Sequence, residues 1–213
     1  MPDAVLPRTT YLMPRTQGAR ESTTTHAYAQ QAFSTGWTRH SHSLTENFLR
    51  AANAVALAPL QHTPTPTPER LEQLEHMLGH LFTHRSLLLL ALTHPSACAQ
   101  GSPNSKVLSW MGDSALHLAV TEQLASSNID SVGKLTEARA RLVSRENCCR
   151  CAKYFGLDKD IMIFGKGVLV NNGGPTDDML GEAMEAVFGA VYVDGGMEAV
   201  RKAYGRNFPL EGR

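Results

Sequence analysis

Two carboxylates stand out by their surroundings. Asp113 interrupts a segment in which apolar residues recur at Val107, Leu108, Met111, Ala115, Leu118, Ala119 and Leu124. Glu185 interrupts another, with Met179, Leu180, Met184, Val187, Phe188 and Val191. Burying an unpaired carboxylate is costly, so acids kept on such faces point to a use. Glu182 lies one helical turn before Glu185, and His117 lies one turn after Asp113, within hydrogen-bonding reach. Each also has an ordinary reading: Glu182 as a solvated residue, His117 as a packed or exposed one, Trp110 as core, and Gly112 and Gly189 as close helix packing. Ser109, one turn before Asp113, has no histidine and acid pattern that would activate it as a nucleophile.

Other chemistry-bearing groups are less informative. Cys148, Cys149 and Cys151 crowd together, but neither their spacing nor that of His94 and His117 is that of a zinc site. Cys148 and Cys151 share a helical face, where free cysteine acts as a small core hydrophobe in a reducing compartment. Arg139, Arg141, Arg145, Arg150 and Lys153 form the densest basic run, with Lys159 and Lys166 beyond it. Such a run is either a nucleic-acid contact or a solvated helix face.

The elements that position these residues read as helices. Glu69 to Met77 has helical apolar spacing and Pro68 suits a first turn. Arg85 to Leu92 is a leucine-rich segment ending near His94 and Pro95. Lys106 to about Leu124 is a long helix with Gly112 as its weak point. Leu135, Ala138, Leu142 and Val143 space another, and one through Cys148 to Tyr154 stops at Gly156. Phe164 to Pro175 is glycine-rich and turn-like. Asp177 to Tyr192 is buried on a broad face, and a last helix, Met197 to Tyr204, follows Asp194, Gly195 and Gly196. Strand-type alternation is scarce, so the fold class is all-α.

The 213 residues suit one domain plus an extra segment. Lys plus Arg equals Asp plus Glu, 20 each, so no global basic field announces a nucleic-acid binder and any RNA affinity must be local. No apolar run is long enough to span a membrane. Met1 to Leu60 is different in kind, with five arginines, no lysine, three acids and abundant Ser and Thr. That composition is expected of an organelle transit peptide, mitochondrial before chloroplast, or of a tail with no address in a cytoplasmic or nuclear protein. Pro64, Pro66 and Pro68 alternate with threonine and close the region. The expected division is a leader and linker over 1–68 and a folded domain over 69–213.

Several blocks carry a family resemblance. Phe82 through Ser96, with its Leu92-Thr93-His94 turn, Ser105 through Leu116, and Leu180 through Gly196 resemble, in order and spacing, the opening helix, signature helix and second catalytic helix of ribonuclease III. Leu135 through Ser144 and Phe164-Gly165-Lys166-Gly167 also follow the family's pattern. The resemblance implies the ribonuclease III endonuclease-domain fold and a substrate of structured, double-stranded RNA. It further implies pairing of two such domains, as a homodimer or as a heterodimer with a relative, with Trp110 and Leu108 partly at the interface. Many relatives add a double-stranded-RNA-binding domain, and none is expected within the residues up to Arg213.

The resemblance also implies a site. Metal-assisted phosphodiester hydrolysis uses Mg²⁺ or Mn²⁺ held by convergent carboxylates. The family's ligand positions fall on Ser109 and Asp113 in one helix and on Glu182 and Glu185 in the other. Asp113 and Glu185 match residue for residue as catalytic and metal-binding groups, and Glu182 stands where aspartate is usual. Ser109 replaces a glutamate, and Lys106 replaces an acid one turn earlier, so both weaken metal binding. A-form RNA is read by shape through phosphates and 2′-hydroxyls, which assigns contacts to Arg139, Arg141, Arg145, Arg150 and Lys153. Two functions follow: an Mg-dependent endoribonuclease that processes structured RNA, or a catalytically degenerate fold retained as an RNA-binding component of an organellar ribosome or RNA-processing complex, among ribosomal proteins. A third is a regulatory partner of an active relative.

Overall fold

A computed structural model describes residues 44–57, 65–168 and 173–207 of the chain. The earliest described helix, α1 (Leu44–Leu57), lies inside the segment read above as leader. Phe48 and Ala52 on it are buried in the common core, and Thr45 Oγ1 donates to the Val193 carbonyl at 3.2 Å. Folded structure therefore extends N-terminal to the expected start at residue 69. Residues 1–43 and 58–64, on which most of the transit-peptide reading rests, lie outside the described residues.

Local signals set the next elements. Helix α2 (Pro68–Leu78) begins on Thr67, whose side chain accepts from Arg70 N, and has proline in its first turn. It ends at Gly79, which takes the left-handed conformation at φ 67° that a C-terminal cap needs. Helix α3 (Arg85–Ala91) buries Leu87, Leu88 and Leu90, each contributing roughly 1.5–3 kcal/mol relative to exposure. A 3₁₀ turn, Pro95–Ala97, follows with His94 as its cap. Thr93 pairs with Ile163 in an isolated parallel bridge, and no strand forms among the described residues.

Helices α4 (Lys106–Ala125), α5 (Val132–Leu142), α6 (Arg145–Tyr154) and α7 (Asp177–Asn207) follow, and residues 166–168, within the segment expected to be turn-like, are helical, while 169–172 lie outside the described residues. Helix α7 is the central element, with Ala183, Met184, Ala186, Val187, Phe188, Ala190 and Val191 all buried, and α4 and α6 pack along it. The Cys148, Cys149 and Cys151 side chains are free thiols buried on α6, as small core hydrophobes. Burial pushes the Cys148 and Cys151 thiols up to about 12, so neither is a thiolate near neutral pH.

The expected break before the last helix appears as a single non-helical residue. Gly196, at φ 69° and ψ −171°, interrupts α7. Just before it, the buried Asp194 carboxylate accepts from Thr83 N at 2.9 Å and His84 N at 3.1 Å and lies 2.9 Å from His80 Nε2. Those bonds fix the turn between α2 and α3 against α7. One expectation fails here: Trp110 is not core but 73% exposed, whereas its neighbour Leu108 is fully buried. A 3.6-residue period turns Trp110 away from α7 toward the side where Val107 is also exposed.

Candidate functional site

Two glycines bring the functional side chains together. A Cβ on Gly112 would overlap the Glu185 carbonyl oxygen, and one on Gly189 would overlap the Leu108 carbonyl oxygen. Helices α4 and α7 thus touch backbone to backbone. That contact sets Ser109 of α4 against Glu185 of α7, with Asp113 and Glu182 acting on the same carboxylate.

Glu185 is the most enclosed of the carboxylates. Its Oε2 accepts from Ser109 Oγ at 2.9 Å and from Arg145 Nη1 at 3.4 Å. Burial raises its pKa; the Ser109 hydrogen bond and the Arg145 charge oppose that, while Asp113 and Glu182 add to it. Both neighbouring carboxylates, Asp113 and Glu182, therefore act on Glu185. Glu182 Oε1 is held by Lys106 Nζ at 2.5 Å, and Asp113 Oδ1 lies 3.5 Å from His117 Nε2. His94 borders the cluster: burial lowers its pKa, the Glu182 charge opposes this and Lys106 reinforces it. Its Nδ1 accepts from Ser96 N at 3.1 Å, and Ser96 Oγ accepts from Gly165 N at 3.0 Å, tying the turn after α3 to the 163–165 segment.

The Arg145 guanidinium, which the resemblance assigns to RNA, lies on Glu185. The first turn of α6, capped by Ser144 Oγ accepting from Asn147 N at 3.2 Å, aims it there. Gly181 leaves the passage, since a Cβ at that position would come 2.6 Å from Arg145 Cδ. Sequence gave no sign of this contact, because it joins residues 40 apart across two helices. The rest of the basic run is also engaged with its own protein. Arg139 Nη1 donates to Thr121 Oγ1 at 3.1 Å, Arg150 Nη2 to Asn147 Oδ1 at 2.6 Å, and Lys153 Nζ to Asp177 Oδ1 at 2.6 Å. Arg141 is exposed on α5.

The Ribonuclease-III-like family profile matches residues 84–209. The chain belongs to that family. Ribonuclease 3 of Caldanaerobacter subterraneus is 39% identical over 137 residues, which cover 62% of this chain and 59% of that protein. Ribonuclease 3 of Magnetococcus marinus is 37% identical over 150 residues, covering 66% and 61%. The chain thus spans about three fifths of the length of these curated relatives. The crystallised nuclease domain of Campylobacter jejuni ribonuclease III superposes with a TM-score of 0.60 at 31% identity, covering 66% of this chain and 99% of that one. That structure is described for flexibility in a region involved in dimer formation.

Ribonuclease III domains are generally served by Mg²⁺, and the side chains present can be tested against that ion. A hard cation takes six or more oxygen ligands. Here Ser109 offers a hydroxyl, Lys106 and Arg145 bring positive charge onto Glu182 and Glu185, and no group of three or more ligating side chains placed to hold a metal ion occurs among the described residues. As arranged, the set does not fit a divalent cation.

Proposed function

We propose that this ribonuclease III-like domain binds structured, double-stranded RNA without cleaving it, as a component of an organellar ribosome or RNA-processing complex. The observation that carries the reading is the state of the α7 carboxylates: Glu182 is paired with Lys106, and Glu185 with Ser109 and Arg145. Pairing with a second copy or a related domain is part of the reading, supported by the exposed Val107 and Trp110 on α4. The organellar address rests on the Arg-, Ser- and Thr-rich composition of residues 1–60. A reporter fused to those residues is expected to leave the cytosol, and one that stays there removes the address.

A specific observation favours a second reading, an Mg-dependent endoribonuclease. Asp113 and Glu182 both act electrostatically on Glu185, and water would fill the place of the missing glutamate. One assay separates the two. The chain is incubated with duplex RNA and Mg²⁺ or Mn²⁺ beside Glu185→Gln, with binding followed in parallel in EDTA. Metal-independent binding without cleavage is expected. Cleavage by the wild type that Glu185→Gln abolishes would overturn the non-cleaving reading.

A further inference from the structure

The carboxylates of the site are enclosed, and the cations reach them from solvent. The Glu182 and Glu185 side chains are 19% and 9% exposed, against 59% for Lys106 and 49% for Arg145. Both cations are delivered by specific local structure. Lys106 opens α4, where its backbone N–H donates to Asn104 Oδ1 at 3.1 Å and that of Ser105 to the Thr93 carbonyl at 3.0 Å. Arg145 opens α6 and crosses α7 at Gly181.

We propose that Lys106 and Arg145 act as tethered cations in place of a divalent metal, joining α4 and α6 to the α7 carboxylates and excluding the ion. The physical basis is charge and geometry. Two carboxylates facing one site repel each other and need positive charge between or beside them. An ammonium 2.5 Å from Glu182 Oε1 supplies it without binding from solution. A divalent ion entering the same place would have to displace that ammonium and would meet the Arg145 guanidinium on the neighbouring carboxylate. It would also find Ser109 donating a hydrogen bond to Glu185 rather than offering a charged ligand. The helices are thus held in register without metal, and metal affinity is suppressed by the chain itself.

The inference rests on the non-cleaving reading, and its test needs no RNA, so the two fail separately. Mn²⁺ uptake by the full chain is followed by electron paramagnetic resonance, alongside the melting temperature with EDTA or Mn²⁺. The wild type is expected to show no saturable Mn²⁺ site in the millimolar range and a melting temperature indifferent to EDTA and Mn²⁺. Lys106→Glu combined with Ser109→Glu is expected to gain a saturable site at least tenfold tighter and a melting temperature that Mn²⁺ raises. Should that variant fail to fold, Lys106→Gln removes only the positive charge and is expected to gain measurable Mn²⁺ uptake. Wild-type uptake as tight as that of the double variant, or no gain in Lys106→Gln, would overturn the assignment.

Discussion

The seam between α4 and α7 and the carboxylate cluster at its edge are built by the same two helices, within seven residues of each other. They nevertheless obey different rules. The seam is backbone against backbone at Gly112 and Gly189, and such a contact tolerates almost no change because no rotamer can relieve it. The cluster is side chain against side chain, and its members can be exchanged while the helices stay in place. Here a serine stands at 109 and a lysine at 106, each held on a carboxylate of α7. A fold can therefore keep a family's geometry while its chemistry changes, and function has to be argued from the site.

The largest effect is expected at the seam. In an ordinary helix interior, Gly→Ala gains up to about 1 kcal/mol of helix propensity. At Gly112 the added Cβ meets the Glu185 carbonyl, so Gly112→Ala should instead lose roughly 3 kcal/mol or more in denaturant unfolding. Gly205, with nothing within 4 Å of its would-be Cβ, serves as the contrast, and Gly205→Ala should be neutral or slightly stabilising. Equal effects at both positions would mean that the seam is not the rigid part.

In the cluster, the next largest effect is expected at Ser109. Ser109→Ala removes a buried donor from Glu185 and should cost roughly 1–2 kcal/mol, less a few tenths regained in helix propensity. Arg145→Met should cost less, about 1 kcal/mol or under, because the guanidinium is half exposed and its attraction is screened by solvent. A double-mutant cycle of the two, read by urea unfolding, should show coupling through Glu185. Strict additivity would show that Ser109 and Arg145 do not share that carboxylate in solution.

Much of this was legible in the chain, for a physical reason. Helical periodicity is local, so α2 to α7 follow from apolar spacing, prolines and glycines, and the i, i+3 and i, i+4 pairs place Ser109 with Asp113 and Glu182 with Glu185 on shared faces. Contacts across helices were not legible. Arg145 reaches Glu185 only because Gly181 leaves room and Ser144 sets the start of α6, and neither fact has a sequence period. The core reading of Trp110 fails because apolar character predicts burial only on average, and its direction depends on which neighbour α4 has. Helix α1 was hidden by its arginine-rich, acid-poor surroundings, although Phe48 and Ala52 on one face bury it in the core.

The smallest effect is expected outside both regions. Arg201 grips Glu122 with two bonds, Nε to Oε2 at 2.6 Å and Nη2 to Oε1 at 2.8 Å, joining α7 to α4 on the surface. The Arg201 hydrogen bond is the main cause that lowers the Glu122 carboxyl below its ordinary 4.5. A carboxyl with a lowered folded pKa contributes stability above the ordinary value and loses it as pH falls through the lower folded value. Glu122→Gln should therefore match the wild type once pH is below that range, and differ from it slightly near neutral pH at low salt. Raising salt should erase even that difference, because both partners are exposed and screened. A loss as large as that of Ser109→Ala, measured by melting temperature against pH and salt, would mean that the contact between α4 and α7 depends on surface charge as much as on the glycine seam.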